Sequence, residues 1–211
     1  MFYGCSALTS INLNNFDTSK VTMMNYMFNG CISLRNLEIN KIKTGKVKYM
    51  SLMFTNCSSL EALDISNFDT SLVVEMSQMF NGCKSLKTLN LTNFKTSNVI
   101  SMNNMFQDCL SLRSLNLSSF DTSKVTDMNY MFNGCSNLTE LDISNFKTIL
   151  VNRTEFMFNN CISLKSLNLT NFNSAKVVNM NYMFYNCHSL LSLDLNSFNT
   201  SKVENMDSLY V

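Results

Sequence analysis

Cysteine stands at Cys5, Cys31, Cys57, Cys83, Cys109, Cys135, Cys161 and Cys187, and every interval is 26 residues, with no insertion or deletion across 211 residues. A fixed period between about 20 and 50 residues marks a solenoid, in which each repeat is one coil that buries its apolar face against its neighbours. The period also absorbs the unusual composition. Of the 16 phenylalanines, all but Phe156 fall either eleven residues after a cysteine or three before one. Of the 16 methionines, all but Met23 lie four or seven residues before a cysteine or in the matching places of the last partial repeat. These residues are one core written eight times.

The unit from Cys109 shows what one coil does. Leu112-x-x-Leu115-x-Leu117 ends on two apolar residues two apart, which share one face of a strand while Asn116 faces out. Such a strand is too short to stand alone. Its partners are the equivalent strands of the adjacent coils, and identical register makes that sheet parallel. The second half has a different spacing: Val125, Met128, Met131 and Phe132 lie at 0, 3, 6 and 7, one face of a helix. Thr122 and Ser123 stand before it as N-caps, and Ser201 with Glu204 forms a capping box. The residue before each cysteine is Gly, Asn or Asp in all eight repeats, the types that tolerate the left-handed backbone ending a helix. The expected fold is an α/β solenoid, leucine-rich-repeat-like, of about eight 26-residue coils, with a parallel sheet on the concave face and short helices on the convex face.

The chain reads as a single repeat domain over 1–211. Its start, Met1-Phe2-Tyr3-Gly4-Cys5, matches an interior step, and Leu209-Tyr210-Val211 falls where the next Met-Phe begins. The expectation is an uncapped fragment of a longer array. The repeat from Cys135 departs most, with Ile149 replacing the cap serine and Thr154 replacing a core methionine; Phe156, two residues on, is the candidate to fill that gap.

Other functions are disfavoured. The net charge of +1 gives no electrostatic case for nucleic acid or an anionic membrane. No apolar run reaches the roughly 18 residues of a membrane span, and the N-terminus has no signal-peptide pattern. No cofactor is implied. No metal is expected either, since His188 is the lone histidine and no C-x-x-C occurs. There is no Ser/His/Asp set or glycine-rich phosphate loop, so the chain is not read as an enzyme. Each cysteine lies where a small apolar residue belongs, which favours a buried free thiol; adjacent coils are also close enough for disulfides. The methionine stripe is core filler.

The string Phe-Asp-Thr-Ser-Lys-Val-Thr-x-Met-x-x-Met-Phe-x-Gly-Cys, from Phe120 to Cys135 and nearly repeated from Phe16 to Cys31, resembles the BspA-like, mycoplasma-lipoprotein type of leucine-rich repeat. The resemblance covers the whole chain. It implies a cell-surface or secreted protein, often adhesive, and carries no catalytic residue across.

A binding face is expected on the concave sheet, where solenoids usually dock partners. Its outward positions hold Glu38, Asp64, Asn90, Asn116, Glu140, Asp142, Asn168 and Asp194, with small or polar residues beside them and no lysine or arginine. A partner with basic or amide groups, an extracellular or host protein, is one reading; a solvated polar sheet is the other. Two more columns attract notice. The slot after each core phenylalanine, or after Ile42 standing in its place, alternates in sign, Asp17, Lys43, Asp69, Lys95, Asp121, Lys147, which would pair opposite charges between coils. The threonine column Thr18, Thr44, Thr70, Thr96, Thr122, Thr148 invites an ice- or glycan-binding array, but those threonines sit where helix caps belong. The functional expectation is an interaction module, with a rigid spacer as the alternative.

Overall fold

The computed structural model describes residues 1–210; Val211 lies outside them. Six short strands are present: β1 (Ser10–Asn12), β2 (Asn36–Glu38), β3 (Ala62–Leu63), β4 (Thr88–Leu89), β5 (Glu140–Asp142) and β6 (Ser166–Asn168). They pair in parallel as β1–β2, β3–β4 and β5–β6, always in the 26-residue register, as in Ile11↔Leu37 and Leu141↔Leu167. The strand face is therefore three two-stranded patches among the described residues, not one continuous sheet.

The opposite face carries the continuous ladder. Parallel bridges link Met23, Tyr49, Glu75, Ser101, Asp127, Arg153, Asn179 and Asn205 at every step. The residues beyond them donate in alternation to the next coil: Met24 N–H to Tyr49 O, Tyr26 to Ser51, Phe28 to Met53 and Gly30 to Thr55, at 2.8–3.1 Å. Phe184 pairs with Tyr210, so Leu209 and Tyr210 occupy the Met-Phe slots.

The expected helices are absent among the described residues. The 0, 3, 6, 7 spacing belongs instead to four-residue turns, each closed by a backbone bond over three residues: Met27 to Met24, Asn29 to Tyr26, Cys31 to Phe28. Two residues per coil have positive φ. One is the predicted slot before cysteine, with φ between 55° and 76°. The other lies four residues earlier, at Tyr26, Leu52, Gln78, Asn104, Tyr130, Phe156, Tyr182 and Ser208, with φ between 49° and 59°. Type II turns need a positive φ at their third residue, and a helix cannot contain one cheaply. A helix would also spend internally the N–H groups that here bond the next coil. With no helix, Ser201 and Glu204 make no capping box; the Glu204 N–H bonds Val178 O.

The same turn recurs around the coil. Cys31/Leu34, Ile39/Ile42, Thr44/Val47, Met50/Met53 and Phe54/Cys57 each open and close one, and all ten side chains are buried. Three-residue closure thus puts both ends of each of these five turns in the core, while the turn from Tyr26 to Asn29 stays outside it. Within it, Phe2, Phe28, Phe54, Phe80, Phe106, Phe132, Phe158 and Phe184 form one stack, with centroids 5.6–5.7 Å apart and ring planes within 9° of parallel.

The threonine column is neither cap nor surface. Thr18 through Thr148, with Ser174, are buried. Each hydroxyl accepts from the N–H and donates to the C=O of a single residue in the next coil; Thr122 Oγ1 takes Lys147 N–H at 2.7 Å and reaches Lys147 O at 3.2 Å. One hydroxyl thereby satisfies two backbone groups at a turn where neighbouring coils make no direct bond. Nor does Phe156 fill the space left by Thr154. It stacks outside, between Tyr130 and Tyr182 at 4.7 and 4.8 Å, while Thr154 is itself buried.

Replacing Thr122 by Val keeps the shape but strands both Lys147 backbone groups, so denaturant unfolding should show a loss of about 1–3 kcal/mol. Thr122→Ser, which keeps the hydroxyl, should lose clearly less.

Candidate partner-binding face

All eight predicted binding residues are exposed on the strand face. The structure aligns seven of them in a single file, with Asn12 beside Glu38 and Asp142 beside Asn168, while Glu140 faces Ser166 from the parallel column. Two shallow open clefts adjoin there. One is lined by Ser114, Asn116, Ser118, Glu140, Asp142 and Ser144, the other by Glu140, Asp142, Ser166, Asn168, Ser192 and Asp194. A third, around Asp64, Thr88, Asn90 and Asn116, continues the file.

Most of that file also has a local duty that sequence reasoning missed. Asp64, Asn90, Asn116, Asp142, Asn168 and Asp194 each accept, through Oδ1, the backbone N–H two residues on, at 2.9–3.2 Å. These are Asx turns, which satisfy an N–H that no neighbouring backbone reaches and, at Asp64, Asn90, Asp142 and Asn168, end the strand. Asn or Asp at this slot is thus required by the backbone, and charge is a choice made within that requirement. The signal was present: the slot holds Asn or Asp in every repeat except at Glu38, where Glu is too long for such a turn. Glu38 instead accepts from the Asn12 amide. Glu38 and Glu140 are the members of the set without that duty.

The bonds shift the acids. The Ser66 hydroxyl and N–H hold Asp64 below the usual carboxylate range, and the Ser144 N–H and hydroxyl do the same for Asp142. In the slot after the core phenylalanine, Asp69 and Asp121 are lowered chiefly by Ser71 and Ser123, with the neighbouring lysines adding less. Of the expected charge alternation, Lys147–Asp121 at 3.7 Å is the pair within ion-pair distance among the described residues.

The cysteines are free and, except for Cys5, buried. From Cys31 to Cys187, each thiol donates to the carbonyl of the phenylalanine 29 residues earlier, at 3.1–3.2 Å. That carbonyl already accepts the N–H of its own coil's cysteine, so both its lone pairs are used. Burial pushes Cys83 and Cys135 up to about 12 and Cys187 to about 11. No group of three or more potential metal ligands occurs among the described residues, and His188 is exposed. No helix there is long and apolar enough to cross a membrane.

Two measurements follow from these environments. A maleimide reagent at pH 8 should label Cys5 quickly in the native chain and all eight cysteines after denaturation; fast native labelling of a second site would contradict the burial. The Asp64, Asp69, Asp121 and Asp142 carboxyls have lowered folded pKa values. Their contribution is complete above about pH 4 and is lost as pH falls through the folded values. Converting the four to Asn, which keeps the Asx acceptor, should flatten the acid limb of a stability–pH profile.

A family profile described as "Mycoplasma protein of unknown function, DUF285" matches residues 1–114 and again 111–211. No curated protein sequence matches. Among solved structures, a leucine-rich repeat protein of T. pallidum is 25% identical with a TM-score of 0.52, over 78% of this chain and 69% of that one. One from Eubacterium ventriosum ATCC 27560 is 17% identical with a TM-score of 0.41, over 82% and 63% of the two chains. A leucine-rich cell surface protein of Faecalibacterium prausnitzii A2-165 is 16% identical with a TM-score of 0.32, over 95% and 76%.

Proposed function

The chain belongs to this DUF285 family and has a leucine-rich-repeat fold, and from that premise we propose that it is a non-enzymatic interaction module of a cell surface or secreted protein, adhering to an extracellular or host protein through its strand face. One observation carries the reading. Five carboxylates, Glu38, Asp64, Glu140, Asp142 and Asp194, occupy exposed outward positions of an open-clefted face, and those positions hold no lysine or arginine. Uncompensated charge of one sign on one face is what a complementary partner recognises, and it mainly sets encounter rate and selectivity. Glu38 and Glu140 support it further, since the turn chemistry does not require them.

A second reading, a rigid spacer without a ligand, is favoured by the Asx turns. They explain most of the Asn and Asp on this face by backbone needs alone.

The test uses substitutions that keep the turns. Glu38→Gln, Asp64→Asn, Glu140→Gln, Asp142→Asn and Asp194→Asn together remove the charge and leave each oxygen acceptor. Binding of the chain and this variant to intact cells and a panel of extracellular-matrix proteins is compared at equal thermal midpoint. Saturable binding that weakens at least about tenfold, a loss of about 1.4 kcal/mol, supports the docking face. Binding that does not change removes the site, and no binding by the folded chain leaves the spacer.

A further inference from the structure

The net charge of +1 conceals a division by face. The strand face is acidic, and the segment leading from it to the bridge column (the ninth to seventeenth residues after each cysteine) is the reverse. Over the eight repeats that flank holds ten lysines against four carboxylates. The densest part is Lys41-Ile42-Lys43-Thr44-Gly45-Lys46-Val47-Lys48. Ile42, Thr44 and Val47 are buried at 2% or less, which pins the backbone, and all four lysines are exposed. Lys20, in the coil below, stands in the same column as Lys46 and is exposed too. Among the described residues none of these five makes an ion pair. Lys95, Lys124, Lys147, Lys176 and Lys202 continue the flank along the stack.

The same flank also exposes aliphatic side chains. Leu72 occupies the Lys20/Lys46 column and is 46% exposed; Ile100 stands in the Lys48 column at 45%, and Ile149 next to these columns at 57%. The Val74 N–H donates to Lys48 O and the Ile100 N–H to Val74 O, which makes Lys48, Val74 and Ile100 consecutive rungs of one column. A soluble polyanion has use for the lysines but none for the aliphatics. Lysines interleaved with exposed aliphatics on one side of a body are the pattern of a peripheral membrane surface.

We propose that this flank is a docking surface for an anionic lipid bilayer, the lysines facing the headgroups and Leu72, Ile100 and Ile149 entering the interface. It stands apart from the strand face, which would remain open to a partner while the chain lies on its side. It also corrects the inference from net charge, because a bilayer meets one face and not the sum of all.

The probe is sedimentation with vesicles of equal phosphatidylglycerol and phosphatidylcholine, against phosphatidylcholine alone, at low and physiological salt. Binding should need the anionic lipid and weaken with salt. Each lysine near such a surface is worth about fivefold in partitioning, so Lys41→Gln, Lys43→Gln, Lys46→Gln and Lys48→Gln together should cost on the order of several hundredfold. Lys84→Gln with Lys165→Gln, on the other flank, should leave binding within about twofold. Leu72→Ser with Ile149→Ser should weaken vesicle binding but not binding to heparin, the soluble polyanion control. Equal binding to neutral vesicles, an unaffected quadruple variant with an unchanged thermal midpoint, or capture by heparin without vesicle binding would overturn the proposal, the last assigning the flank to a linear polyanion. The charge-neutralised strand face should keep vesicle binding, which separates the two readings.

Discussion

The rest of the structure depends on backbone hydrogen bonds that leave one coil for the next. In the segment before each cysteine, alternate N–H groups close turns within the coil and the others reach a carbonyl 25 residues on. No coil can satisfy its own polar groups, so none is an independent structure. The constraint also explains the invariance of the 26-residue interval. A single inserted residue would shift the donors against their acceptors and turn buried side chains outward. The buried hydroxyl column extends the same logic to a turn where backbones do not meet, and the thiol–carbonyl contacts extend it to the cysteines.

Stacking like on like follows from that register. The phenylalanines before the cysteines stack on one another from Phe2 to Phe184, and each thiol from Cys31 to Cys187 meets the same carbonyl. A substitution at one slot is felt by the coils above and below. Thr154 in a methionine slot is accompanied by an aromatic stack of Tyr130, Phe156 and Tyr182 on the outside of the same coils.

Much of this was legible in the sequence, and the failures have physical reasons. Inward residues were readable because burial repeats. The left-handed slot before cysteine was readable because only Gly, Asn and Asp fill it. The second left-handed slot was not, since Tyr, Leu, Gln and Phe have no such preference; there the ladder to the next coil imposes the conformation. The spacing of Val125, Met128, Met131 and Phe132 serves a helix and a run of three-residue turns equally, and distinguishing them requires knowing where the N–H groups go. Threonine was misread because a helix cap and an inter-coil clip use the same hydroxyl. On the candidate face the exposed residues were identified correctly, but exposure did not disclose that Asp64 and Asp142 also hold the turns that end their strands. The lysine flank escaped notice because a net charge sums over faces.

The direction of the hydrogen bonds has a mechanical consequence. They run along the stack axis, so tension applied to its two ends pulls on successive coil interfaces in series, and the terminal coil, held from one side only, yields first. Each coil that peels away releases 26 residues, a contour of about 90 Å at full extension. Such a chain would give way in equal increments and lengthen under load while the remaining coils stayed intact.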